Sequence, residues 1–251
     1  MDSGLYAAYT ALLARTQALD TAANNLANAG TAGFRAQRDY FSGVLAGGLD
    51  QDPATASQVG QSVNGFGVLG GNRLDLGQGE IKATGNPLDL ALQGQGFFAI
   101  QTANGIRYTR DGAFSRSSTG VLQTAQGEPV FDTNQKPITI PTGTVYVAPD
   151  GTISVSTSDG SAIVGRVGAY DFAAKSVLTA EGANRFSANG AKPIPATAAV
   201  EQGSVEGANE DAIHGTMQLV LVQRQAEMMQ KALSVFNNDF DKTASEDIPR
   251  V

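Results

Sequence analysis

The sequence predicts a mixed α and β protein whose N- and C-terminal helices pair as a coiled coil, with a central all-β domain between them. Three observations predict this. Leu5, Leu12, Leu19 and Leu26 recur at intervals of seven. Leu219, Val222, Ala226, Met229, Leu233, Phe236 and Phe240 follow alternating steps of three and four. Apolar residues at either spacing form a narrow stripe along one side of a helix, which suits burial against another helix. Between these ends the apolar period falls to two and glycine turns multiply, so the middle offers little to cover either stripe. The ends are expected to pair with each other or with other copies of the chain.

Each element follows in order. Ser3 can cap a first helix that runs to about Asn28, where Asn28, Gly30 and Gly33 stop it. The resulting N-terminal coiled-coil helix, 1–30, is roughly 40 Å long at about 1.5 Å per residue. Alanines surround its leucines and keep it slender. Residues 31–75 read as an extended arm or linker, rich in Gly, Ser, Gln and Asn, with Gly47-Gly48 and Gly70-Gly71. Residues 76–200 read as one all-β domain. In it Leu88, Leu90 and Leu92 alternate with Asp89 and Ala91, and the Phe97–Ile100 and Ile106–Thr109 runs flank the hairpin signal Asn104-Gly105. Asp111-Gly112, Asp150-Gly151, Asp159-Gly160 and Asn189-Gly190 mark further turns. Residues 201–251 read as the C-terminal coiled-coil helix and tail, with the helical period returning after Gly207.

Composition narrows the function. The chain has 251 residues, 30 of them Gly, with 16% charged residues, 7% aromatic and no Trp. That mixture suits short strands and adaptable polar contacts better than a dense enzyme core. A net charge of −7 with no basic run argues against nucleic acid as a partner. Cysteine is absent, which excludes disulfides and thiolate metal sites. No apolar run reaches eighteen residues, so no membrane insertion is expected. The start lacks the basic and apolar regions of a Sec-type signal peptide, so the expected compartment is the cytosol unless export leaves its signal uncleaved.

The segment with most to explain is Ala23-Asn24-Asn25-Leu26-Ala27-Asn28-Ala29-Gly30-Thr31-Ala32-Gly33-Phe34-Arg35. A frayed helix end accounts for its Asn and Gly content. It does not account for three Asn around the last leucine, followed by Phe34 and the basic Arg35 and Arg38. Asn side chains both donate and accept toward a neighbouring backbone, which suits register between helices better than catalysis. This run resembles the Ala-Asn-Asn-Leu-Ala-Asn-x-x-Thr-x-Gly-Phe signature of the bacterial flagellar rod and hook proteins. Gly94-Gln95-Gly96-Phe97-Phe98, Tyr108-Thr109-Arg110-Asp111-Gly112-Ala113-Phe114 and Gly120-Val121-Leu122 are similar to that family's central block. Gln202-Gly203-Ser204-Val205-Glu206-Gly207-Ala208-Asn209 and Gln223-Arg224, with Glu227 and Lys231, are similar to its third. Ala208, Glu210 and Ala226 stand where Ser, Val and Tyr are common, and the tail from Asn237 to Val251 runs past the expected helix end. The lack of a large central insertion sets hook proteins aside. Asn86–Leu92 and the Arg224–Lys231 stretch favour the proximal-rod branch, with the distal rod second.

The resemblance implies a structural subunit of the flagellar basal body rather than an enzyme. It implies export through the flagellar type III apparatus without signal cleavage and polymerisation into the periplasm-spanning rod. The implied partners are other copies and other rod and hook proteins. The candidate assembly residues are Leu5, Leu12, Leu19, Asn24, Asn25, Leu26 and Asn28 on the first helix, and Gly33, Phe34 and Arg35 where the arm would seat between subunits. On the last helix they are Leu219, Val222, Arg224, Glu227, Met229, Lys231, Leu233 and Phe236.

No catalytic, cofactor or metal residue is expected. Gly94-x-Gly96 is not followed by a helical pattern, so it lacks the helix end that a phosphate loop needs. His214 is the single histidine and cannot build a His-based metal cluster. Asp111, Asp150 and Asp159 each belong to a turn dipeptide, which leaves Asp89 without a carboxylate partner. Met217, Met228 and Met229 lie on a helix without the basic face of a membrane-binding amphipath. Two other classes stay open: a β-rich glycan-active enzyme, which would turn over polysaccharide, and a monomeric binding module, whose two helices would pack permanently on their own chain.

Overall fold

The computed structural model describes residues 2–42, 68–158, 160–174 and 177–246. They divide into a helical unit and a β-rich unit. The helical unit holds α1 (Asp2–Ala27), β1 (Gln37–Ser42), β2 (Val68–Leu74) and α2 (Ala212–Glu246), with β1 and β2 paired as a two-stranded sheet. Alanine carries the highest helix propensity, so α1 forms readily in its own sequence. It packs along α2 and β1.

Among the described side chains of α1 the buried ones are Ala11, Ala14, Ala18, Ala22 and Asn25, whereas Leu12, Leu19 and Leu26 are only partly buried beside them. This corrects the expected coiled coil. A coiled-coil seam seats large knobs in facing holes, and the line that α1 buries is too small to supply them. What stands is a mixed α and β protein with two terminal helices and a large β-rich region. On α2 the buried residues are Gly215, Val222, Ala226 and Leu233, with Leu219 and Met229 half-buried between them. Within the β1–β2 pair, the Arg73 guanidinium lies 4.9 Å from the Tyr40 ring centre.

The β-rich unit begins with β3 (Ile81–Ala83), β4 (Leu90–Gln93), β5 (Phe97–Thr102), β6 (Gly105–Thr109), β7 (Ser115–Arg116) and β8 (Leu122–Gln123). It continues with β9 (Thr144–Val147), β10 (Thr152–Thr157), β11 (Gly160–Arg166), β12 (Ala169–Asp171), β13 (Thr179–Ala180) and β14 (Arg185–Ser187), and closes with β15 (Ile194–Pro195), β16 (Ala199–Gln202) and β17 (Ser204–Glu206). A six-stranded sheet has the order β13-β14-β6-β5-β12-β15, and a three-stranded sheet the order β11-β10-β9. The remaining pairs are β16-β4, β17-β3 and β7-β8.

Side-chain alternation on β5 explains why Phe97-Phe98-Ala99-Ile100 is apolar without a break. Phe98 and Ile100 enter one core with Leu90, Leu92, Leu122 and Val130. Phe97 and Ala99 enter a second with Tyr108, Phe131, Phe172 and Phe186. A strand covered on both faces needs apolar residues at every position.

β5 and β6 pair antiparallel with Thr102 opposite Gly105. The loop is therefore Ala103-Asn104, and the positive φ of 97° belongs to Gly105. Asn189 and Gly190, both at positive φ, close the turn that the Asn-Gly rule describes. At β9, Gln202 accepts from the Val147 N–H through Oε1 and donates to the Val145 carbonyl through Nε2, so its amide completes part of that strand edge.

The strand ribbon that enters the β-rich unit is also the one that leaves it. β16 runs antiparallel to β4 with Val200 opposite Leu92, and β17 to β3 with Glu206 opposite Ile81. Segment Asn28–Ala36 belongs to this unit as well. The chain thus arrives through 28–36 and departs through Glu206–Asp211, and the ribbon register determines where the departing part lies.

Candidate functional site

The three motif blocks meet where segment 28–36 docks. The turn after α1 is held by Thr31 N–H donating to the Asn28 carbonyl at 3.0 Å. Gly33 then takes φ +68°, and a Cβ built there would stand 2.1 Å from the Asp111 nitrogen. Only glycine combines that backbone with so close an approach, so the first block is seated directly on the second. Gly33 N–H donates to the Glu206 carbonyl at 2.7 Å, and Asn209 N–H to the Phe34 carbonyl at 3.3 Å, which joins the first block to the third. Asn209 also clamps backbone with its side chain: Oδ1 accepts from Ala36 N–H at 2.7 Å and Nδ2 donates to the Asp75 carbonyl at 2.7 Å. Asn184 donates to the Ala32 carbonyl at 2.8 Å.

A buried charge cluster sits at the centre. Arg35, Arg110 and Glu206 are 2%, 3% and 0% exposed, one from each block. Glu206 Oε1 accepts from Arg35 Nη2 at 2.5 Å and from Gly79 N–H at 2.7 Å. Arg110 Nη1 stands 3.1 Å from Glu206 Oε2 but is aimed at the Leu92 carbonyl, and Nη2 donates to the Gly94 carbonyl. Its guanidinium also lies 5.6 Å from the Phe97 ring centre. Burial pushes the Arg110 pKa down to about 10; the Glu206 charge opposes this and the Arg35 charge adds to it. Arg110 therefore stays protonated at neutral pH. Two guanidiniums share one carboxylate, and Arg35 Nε, Arg110 Nε and Glu206 Oε2 have no hydrogen-bond partner. Removing Glu206 would cost about 3–5 kcal/mol, because it leaves two guanidiniums buried without a counter-charge.

The structure places the residues singled out in the sequence as follows. Asn25 Nδ2 donates to the Gln37 carbonyl at 2.8 Å and its Oδ1 accepts from Gln37 N–H at 2.9 Å, so it fixes the first residue of β1 rather than another helix. Asn24 is exposed and Asn28 half-buried. Leu12, Leu19, Leu26, Leu219 and Met229 are half-buried, and Val222 and Leu233 buried. Arg224, Glu227 and Lys231 are exposed; Glu227 accepts from Gln223 at 3.2 Å. The side chains of Leu5 and Phe236 lie outside the described ones. Gly33, Phe34 and Arg35 are brought together with Glu206 inside one chain.

Sequence reasoning missed Arg110, Glu206 and Asn209 as members of a site, although the motifs contained all three. The available signal was charge scarcity: an arginine or glutamate inside a glycine-rich block is poorly placed to be one more solvated charge. Asp89, which the sequence leaves without a carboxylate partner, accepts from Thr84 Oγ1 at 2.6 Å and Asn86 Nδ2 at 2.8 Å, a turn-stapling role. Among the described residues no His, Cys, Asp and Glu cluster could hold a metal ion, and no described helix is long and apolar enough to cross a membrane. The arrangement ties the chain before β1 to the chain before α2.

Two known families match stretches that hold the first two blocks. A family described as flagella basal body rod protein matches residues 5–35, and one described as flagellar hook protein FlgE/F/G D1 domain matches residues 91–156. The first match ends on Arg35 and the second contains Arg110. The chain is 33% identical to the flagellar basal-body rod protein FlgF of Mesorhizobium japonicum, over 90% of each chain. It is 35% identical to that of Escherichia coli K12, over 91% of this chain and 93% of the relative. It is 30% identical to the flagellar basal-body rod protein FlgG of Bacillus subtilis, over 82% and 84%. With similarity of this degree along nearly its whole length, the chain belongs to the family of flagellar basal-body rod proteins.

Proposed function

We propose that this chain is a proximal-rod subunit that polymerises through its terminal helices into the periplasm-spanning shaft that transmits motor torque. That it is a structural rod subunit of the flagellar basal body follows from its family, as does assembly with other rod and hook proteins. The observation that carries the proximal assignment is the similarity to relatives named FlgF over about nine-tenths of both chains. Relatives named FlgG match with lower identity or coverage.

The proposed assembly contacts are the residues singled out on α1 and α2. Beside them, Ile213, Met217, Val220, Leu221, Met228 and Val235 are large apolar side chains that α2 leaves exposed, which supports assembly through this helix. A helix with such a face is marginal alone and gains by burying it in an assembly. We further propose export through the flagellar type III apparatus with no cleaved signal, which suits a chain whose helices order on assembly.

Imaging basal bodies from a deletion strain tests the assignment. The expected result is a rod that fails before its proximal segment is built. A rod that completes that segment and stops before the outer-membrane rings would transfer the chain to the distal position.

A further inference from the structure

We propose that Glu206, clamped between Arg35 and Arg110, is the key of a latch that docks segment 28–36 onto the β-rich unit and opens without unfolding that unit. Two observations say that the opening is local. Neither hydrophobic core of the unit contains Phe34 or Ala36, so releasing the segment leaves both cores intact. The segment forms no strand; hydrogen bonds to Glu206, Asn209, Asp75 and Asn184 hold it, together with the charge cluster.

The docked state also carries a penalty of its own. One carboxylate serves two guanidiniums; among the described residues Arg35 Nε and Arg110 Nε are buried without a hydrogen-bond partner, and Glu206 Oε2 faces Arg110 Nη1 at 3.1 Å without accepting a hydrogen bond. Water would satisfy all three on release. Phe34 and Ala36 are buried, 9% and 0% exposed, yet lie outside both cores, so polar contacts and one overloaded charge cluster hold the segment, which places it at the low end of local stability. The latch also joins two distant points of the chain, since Arg35 and Glu206 are 171 residues apart. Docking therefore waits for the β3–β17 ribbon to bring Glu206 into place.

Hydrogen exchange on the purified full chain tests this. The amides of Gly33, Ala36 and Asn209 are expected to exchange at least ten-fold faster than those paired between β5 and β6. Glu206→Gln should speed the first set by a further ten-fold or more and leave the second unchanged. Should that variant fail to fold, Asn209→Ala removes the Ala36 and Asp75 clamps without stranding a charge and should show the same split. Equal protection of both sets, or both sets accelerating together in either variant, would show one cooperative unit and overturn the latch.

Discussion

Gly112 and Asp111 show how closely single residues constrain the site. Gly112 looked like a turn glycine in Asp111-Gly112, yet a Cβ there would lie 1.6 Å from the Leu90 carbonyl oxygen and 2.8 Å from its carbon. Both neighbours are backbone, so neither can rotate away. Gly112→Ala should destabilise the β-rich unit by about 3 kcal/mol, within the range of overpacked sites; chemical denaturation checks it, and a loss below about 1 kcal/mol would mean that the strands shift freely. Asp111 carries a different signal. Burial raises its carboxyl pKa above the ordinary 3.8, the nearby Asp89 charge raises it further, and the Ala113 N–H opposes both. With the folded value above the unfolded one, its contribution is fully present below the unfolded pKa and is lost as pH rises through the folded one. Asp111→Asn keeps an acceptor for Ala113 and removes the charge. The variant should be more stable than the parent at pH 7, and the gap should close by pH 3; a gap that widens in acid would reverse the sign.

At the scale of elements, the two helices differ in how far their sequence could be read. On α2 the alternation of three and four marks the buried side, since Val222, Ala226 and Leu233 are its buried members. On α1 the leucine heptad was the louder pattern, and the alanine line beside it is what the structure buries. Size decides this, because a helix approached closely by β1 and α2 has room for methyl groups and not for isobutyl groups. Ala18, 6% exposed, tests the point. Ala18→Leu should cost about 1–3 kcal/mol by overpacking, read as a lower melting temperature of the far-ultraviolet helical signal with the β-rich unit unaffected. Unchanged melting would put the contact elsewhere.

Across the whole molecule, the β-rich unit holds both hydrophobic cores, while the helical unit leaves Tyr9, Leu13, Met217, Leu221 and Val235 exposed. Brief digestion with a nonspecific protease should therefore leave a resistant fragment bounded near Leu74 and Asp211 and consume the helices. Uniform resistance along the chain would refute unequal stability. Sequence by itself determined the mixed class, the two terminal helices, the hairpin around Asn104 and the motif blocks that identify the family. All of these rest on local period, turn chemistry or short runs of residues, which are readable without knowing what is near in space. Only the tertiary structure decided that alanines rather than leucines line α1's buried side, that segment 28–36 belongs with the strands, and that Arg35, Arg110 and Glu206 form one cluster. Those facts depend on which surfaces meet, and the register that carries Glu206 back to Arg35 is set by strand pairing far along the chain, where no local pattern records it.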